Sequence, residues 1–368
     1  METTDNQYWT IVRKAEEQIL PLLRTFEAVH EEIHFGREKE AQERVRAVAE
    51  HIFPAITEEL THVTPPAALQ DFHAQLTEAM TCCANAYSDL LKGAGRNFAE
   101  WFLRSRQALS RALYGFYELR DQLPALQPYW VTGTVNSSLS EREARTAEVA
   151  VPVGFLHKER TNARNEYSLY VPEQYTPDKN WPLIVCLHGG YGQGNEYIWT
   201  WLRPAKSHGY FLLSPKSIGP TWSVLQPPLD IRSIRAMLTE VCDTYNVDRS
   251  RVYLTGLSDG GTFSYLTGLT AADLFAAVAP IAGDFHAMMD PLLRQKRGID
   301  VPFLIVHGGK DPIFPIQTAR EAEKLFSFLG YQVTYRELPE WGHAYPYTIN
   351  EQIVLPWFAS LTKGEAGS

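Results

Sequence analysis

Residues 251–261 read Arg-Val-Tyr-Leu-Thr-Gly-Leu-Ser-Asp-Gly-Gly. The first five have the apolar, β-branched and aromatic composition of a strand, and residues 260–269 continue as a helix-like segment. Between them lies Gly256-Leu257-Ser258-Asp259-Gly260, a G-x-S-x-G pattern set between strand and helix. That is the context of a nucleophile elbow. The serine of such an elbow occupies a strained turn, and the residues two before and two after it must lack side chains for strand and helix to approach. Ser258 is therefore the candidate nucleophile, its hydroxyl exposed above the end of a sheet.

Working outward, short runs rich in Val, Ile, Leu and Phe alternate with helix-like stretches from Val151 onward. This is the pattern of an α/β protein with a mostly parallel sheet. Strands are expected at 166–171, 182–187, 209–214, 251–255, 276–281, 302–306 and 332–338. Helices are expected at about 195–208, 230–245, 260–269, 316–329 and 350–360.

A serine hydroxyl is a poor nucleophile until a base takes its proton, and an acid must hold that base in the correct tautomer. His343, in Glu340-Trp341-Gly342-His343, follows one expected strand. Asp311, in His307-Gly308-Gly309-Lys310-Asp311, follows another, and Asp284, in Ala282-Gly283-Asp284-Phe285-His286, competes with it for the acid's place. Backbone N–H groups must receive the oxyanion. One comes from Asp259, the residue after the nucleophile. The other is expected from Leu187-His188-Gly189-Gly190-Tyr191-Gly192, with Gly190 favoured and Tyr191 as the neighbouring alternative. That loop carries neither phosphate-cradling arrangement of glycines, G-x-x-x-x-G-K-[ST] or G-x-G-x-x-G, so it gives no nucleotide signal.

Leu187-His188-Gly189-Gly190, the elbow at 256–261, His307-Gly308-Gly309-Lys310-Asp311 and Gly342-His343, in this chain order, resemble the α/β-hydrolase superfamily over residues 150 to 360. The closest-looking branch is that of the phospholipase/carboxylesterase and polyhydroxybutyrate-depolymerase-like esterases. The resemblance implies an α/β-hydrolase fold, a mostly parallel central sheet flanked by helices. It also implies Ser258 as nucleophile, His343 as base, Asp311 as its orienting acid, and Gly190 and Asp259 as oxyanion donors. The helical first third has no counterpart in it.

Composition narrows the partners. With 34 Lys+Arg against 43 Asp+Glu the formal net charge is −9, the wrong sign for a nucleic-acid binder. A 45% hydrophobic and 21% charged chain suits a packed core. No apolar run is long enough to span a membrane, and the first residues read as neither leader nor anchor. Cys82, Cys83, Cys186 and Cys242 lack the C-x-x-C spacing of a zinc site. A cytoplasmic, reducing setting is the expectation. The chemistry calls for no metal and no organic cofactor.

Up to about residue 125 apolar residues recur at three and four, in four segments headed by Tyr8, Val45, Leu69 and Phe98. An antiparallel four-helix bundle over 1–130 is expected, then a linker over 131–150 and the catalytic domain over 151–368. The bundle's histidines and carboxylates do not form the paired Glu-x-x-His of di-iron sites. Its apolar stripes fit homodimerisation or a cover over the active-site mouth.

Ligands of open α/β sheets bind beyond the carboxyl ends of the strands. His188, Trp199, Trp222, Phe285, His286, Phe314 and Trp341 lie in such loops and are the candidate substrate-lining residues. Their aromatic bias suggests an apolar or aromatic small-molecule ester. The expectation is a serine carboxylesterase working through an acyl-enzyme. Its rivals are a thioesterase or prolyl-oligopeptidase-like peptidase on the same triad, and a non-catalytic binding or assembly protein.

Overall fold

The computed structural model describes residues 2–33, 37–50, 53–133, 151–158 and 166–363. It divides into two compact units, Met1–Gly133 and Thr134–Ser368. From residue 134 on, the expected linker lies outside the described residues.

The first unit is helical: α1 (Glu2–Glu31), α2 (Glu38–Ala49), α3 (Phe53–His62), α4 (Gln70–Lys92), α5 (Phe98–Glu118) and the short α6 (Gln127–Trp130). The second expected segment is thus two helices. Pro54 stands in the first turn of α3, where its missing N–H costs nothing, whereas α1 runs through Pro21. Each apolar stripe is buried, as Val12, Ile19, Leu23 and Phe26 show on α1. Gly115 on α5 lies against Ala79 on α4, where a Cβ would stand 2.8 Å from the alanine Cβ. The Gln42 amide donates to the carbonyls of Leu90 (3.0 Å) and Gly93 (2.6 Å), satisfying acceptors that the end of α4 leaves open.

The second unit is built on eight strands: β1 (Gly154–Lys158), β2 (Tyr167–Val171), β3 (Trp181–Leu187), β4 (Phe211–Pro215), β5 (Val247–Leu257), β6 (Ala277–Ile281), β7 (Phe303–Gly308) and β8 (Val333–Leu338). Their order is β1-β2-β4-β3-β5-β6-β7-β8. The β1–β2 and β2–β4 pairs are antiparallel and the rest parallel. β3 is buried along its whole length, because parallel strands are covered on both faces. β1 is an edge strand with a half-exposed pattern and was not expected from sequence.

Helices α7 (Gly194–Tyr197), α8 (Trp199–His208), α9 (Pro228–Thr244), α10 (Asp259–Thr270), α11 (Asp290–Arg294) and α12 (Ile316–Phe328) follow. Leu183, Val185 and Leu187 of β3 join Leu254, Val278 and Ile305 in one core with Ile234 and Met237 of α9, Phe263 and Leu266 of α10, and Phe326 of α12. On the opposite face Phe358 stacks on Tyr253 at 4.7 Å and on Trp201 of α8 at 6.4 Å. The register sets Leu187 beside Gly256, Leu257 beside Ile281, and Ile281 beside Val306. The parallel strands therefore end at one common edge, where the site residues emerge.

The elbow depends on backbone contact. A Cβ on Gly256 would fall on the Gly260 carbonyl, and one on Gly260 would fall on the carbonyls of Leu187 and His188. Backbone atoms cannot rotate away. Gly260→Ala is expected to lower the unfolding free energy by about 3 kcal/mol or more; a denaturation midpoint equal to wild type would contradict this packing.

Candidate active site

Ser258 leaves β5 with φ 58° and ψ −120°, a left-handed setting that costs a non-glycine residue roughly 1–3 kcal/mol. Two backbone bonds hold it there: Ser258 N–H donates to Ile281 O at 3.0 Å, and Thr262 N–H donates to Ser258 O at 2.8 Å. The turn presents the side chain above the edge, half-buried, at the N-terminus of α10.

Asp311 and His343 meet two strands away. Imidazole Nδ1–H donates to Asp311 Oδ2 at 2.7 Å, which leaves Nε2 as the nitrogen able to accept a proton. The other carboxylate oxygen accepts from the amides of Ile313 (2.8 Å) and Phe314 (2.9 Å). Burial alone would raise the Asp311 carboxyl, but the His343 bond and charge and those two amides outweigh it and hold the group below the usual carboxylate range. The imidazole takes Asp311, not Asp284, whose backbone amide is bonded to Thr262 Oγ1 at 2.9 Å. No hydrogen bond joins Ser258 to His343 among the described residues; such contacts are often long until substrate is bound.

The glycine-rich loop abuts the serine, since a Cβ on Gly189 would stand 3.4 Å from Ser258 Cβ. Tyr191, also at positive φ (58°), already donates its N–H to Pro220 O at 2.9 Å. Of the two amides weighed for this loop, Gly190's is the one left unengaged among the described residues. Asp259 N–H opens α10, where the first amides of a helix lack intrahelical partners.

Residues 217–226 clamp that loop; of these the sequence pointed only to Trp222, and to it as a lining residue. Trp222 Nε1–H donates to His188 O at 2.7 Å, and Ser217 N–H to His188 Nε2 at 3.1 Å. Fully buried Asp230 holds the clamp itself, accepting from the amides of Ile218 (2.9 Å) and Ser223 (2.8 Å). Nothing in the sequence marks Asp230 apart from other acids at helix starts. His307 was also passed over: buried beneath the acid, it donates from Nε2 to Phe314 O at 2.8 Å and lies 3.5 Å from Asp311 Oδ2.

The expected lining residues divide. Phe314 stands edge-on to His343, 5.6 Å between ring centres, and Trp341 is buried two residues before it. Trp222 stacks on Phe263 inside the core, Phe285 packs on Tyr265 and Phe326, and Trp199 stacks on Phe155. His286 accepts from Met288 N–H at 3.2 Å as the cap of a short turn. His188 is buried with both ring nitrogens bonded, so it offers a substrate no polar atom. Among the described residues, no group of three or more His, Cys, Asp or Glu is arranged to hold a metal ion.

Residues 230–354 match the phospholipase/carboxylesterase family. A bifunctional acetylxylan esterase/xylanase of Neocallimastix patriciarum is 31% identical over 170 residues, 44% of this chain and 23% of that protein. The chain thus spans under a quarter of that relative's length. A probable feruloyl esterase C of Aspergillus oryzae is 28% identical over 226 residues, 59% of this chain and 80% of that one. Among solved structures, a thermostable esterase is 25% identical with a TM-score of 0.48, covering 56% of this chain and 63% of its own. With the sheet order and the elbow, the family and sequence matches make the second unit an α/β-hydrolase. Within that class it is of the serine esterase type, similar to the phospholipase/carboxylesterase family.

Burial pushes the His188 imidazole down to about 4. The unfolded chain takes up this proton below about pH 6.5, the folded chain only near 4, so this contribution to stability is full above 6.5 and falls as pH drops across that window. The loss approaches about 3 kcal/mol at the acid end. Denaturant titrations from pH 7 to 4 check this: His188→Gln should show a shallower acid decline than wild type.

Proposed function

We propose that the protein is a serine carboxylesterase that hydrolyses carboxylic esters through an acyl-enzyme. Ser258 Oγ attacks the ester carbonyl while His343 Nε2 takes its proton, and Asp311 keeps Nδ1 protonated and steadies the imidazolium. The amides of Gly190 and Asp259 receive the oxyanion. His343 then gives its proton to the departing alcohol, and water, activated by the same imidazole, attacks the acyl-enzyme and frees Ser258. The observation that carries this reading is the 2.7 Å Asp311–His343 bond at the same sheet edge as a serine in a strained left-handed turn.

The substrate we favour is apolar or aromatic around the ester. Phe314 beside the imidazole and the exposed side chains of Tyr191, Leu225 and Ile313 support it. The names of the relatives, feruloyl and acetylxylan esterases, add hydroxycinnamate and acetylated sugar esters to the candidates. No described helix is long and apolar enough to cross a membrane, and all four cysteines are free thiols; the thiols support a cytoplasmic, reducing setting.

The test is hydrolysis of 4-nitrophenyl esters from acetate to palmitate, with methyl hydroxycinnamates and a thioester alongside. Ser258→Ala and His343→Ala should each cost roughly 10³-fold or more in kcat, and Asp311→Asn about 10⁴-fold through the wrong tautomer. Ester turnover unchanged in Ser258→Ala would refute the assignment.

A further inference from the structure

Asp259 contributes more than a backbone amide. Its carboxylate leans against the oxyanion loop: a Cβ on Gly190 would stand 2.6 Å from Asp259 Oδ2. The same oxygen accepts the Thr221 hydroxyl at 2.5 Å, which fixes the side chain. No Lys, Arg or His pairs with it among the described residues. The nearby Lys216 is committed to Glu166 at 3.1 Å. A helix N-terminus tolerates an acid, yet an unneutralised carboxylate beside a developing oxyanion opposes the charge that the hole must stabilise.

Asp259 is also one of the residues that line a cleft. Thr221, Trp222, Val224, Leu225, Gln226 and Asp259 are among the residues that enclose about 480 Å³, room for a ring-sized group. Val224 and the largely exposed Leu225 (84%) make one side apolar. Oδ1 of Asp259 has no partner among the described residues. The cleft thus combines apolar side chains with a carboxylate that has one oxygen free of protein partners, on the residue that directly follows Ser258.

We infer that this cleft is a substrate subsite in which the Asp259 carboxylate, held by Thr221, accepts a hydrogen bond from a donor group on the ester. This rests on the esterase reading and adds a substrate class: esters bearing a hydroxyl or ammonium on a ring or chain that reaches the cleft. Esters carrying an anion there are rejected. A bound ammonium neutralises the charge that opposes the oxyanion, and a bound hydroxyl disperses part of it, so the correct substrate completes the electrostatics of the site.

Two ester series test it: methyl 3-phenylpropanoate with its 4-hydroxy, 4-aminomethyl and 4-carboxy derivatives, and 2-phenylethyl acetate with the same substituents. In at least one series the wild type should favour a donor-bearing ester over the parent roughly tenfold in kcat/KM and disfavour the carboxylate similarly. Whether the hydroxyl or the ammonium gains more identifies the donor. Asp259→Asn should lose the ammonium preference and the penalty on the anion while keeping part of the hydroxyl preference, because an amide oxygen still accepts. Thr221→Val, which frees the carboxylate to turn, should blunt all three. Flat ratios in both series, or ratios unchanged in Asp259→Asn, overturn the inference. Calorimetric binding of the same esters to Ser258→Ala separates the two readings. Selective binding with no wild-type turnover would sink the esterase and keep the subsite; turnover with unselective binding would do the reverse.

Discussion

The close approach of three backbones at Gly260 is the constraint from which the rest of the second unit follows. Helix α10 can start directly above β3 only because no Cβ stands between Gly260 and the carbonyls of Leu187 and His188. That proximity forces the chain to reverse within one residue after β5, and a reversal so tight has a left-handed φ at its apex. Ser258 occupies the apex. The helix core at Phe263 and Leu266, buried against the sheet, supplies the burial that offsets the strain. The oriented, half-buried hydroxyl is thus a product of packing as much as of the serine itself.

Much of this geometry was legible because it is written locally. Glycines at 256 and 260 around Ser258 state the elbow, and the all-apolar run of β3 states a strand covered on both faces. Asp311 and His343 could be found because each closely follows an expected strand. Other parts are written in contacts between residues far apart in the chain. β1 is half-exposed and flanks residues outside the described set, so its strand character rests on pairing with β2 and not on its own pattern. Phe285 and Trp199 looked like site residues because loops at strand ends carry ligands. Their rings turn inward because apolar area there is worth more buried.

The clamping role of residues 217–226 has no local sequence signature either. Asp230 is one acid among many until the fold carries the amides of Ile218 and Ser223 to its two oxygens. Once it does, a single buried carboxylate orders the loop, the loop holds His188 and Tyr191, and these fix where the Gly190 amide stands. The order of the site therefore runs from local bonds at Asp230 to bonds that join distant stretches of chain at His188 and Tyr191, each satisfying a buried polar group that would otherwise be costly.

The contact between Gly190 and the Asp259 carboxylate has an evolutionary consequence. The two positions are epistatic. Gly190 needs no left-handed backbone; what bars a side chain there is the acid opposite, pinned by Thr221. A lineage that first shortens residue 259 opens position 190 to alanine or serine, whereas one that alters 190 first meets a clash with the Asp259 carboxylate. Changes at this contact are thus ordered, with residue 259 changing before residue 190.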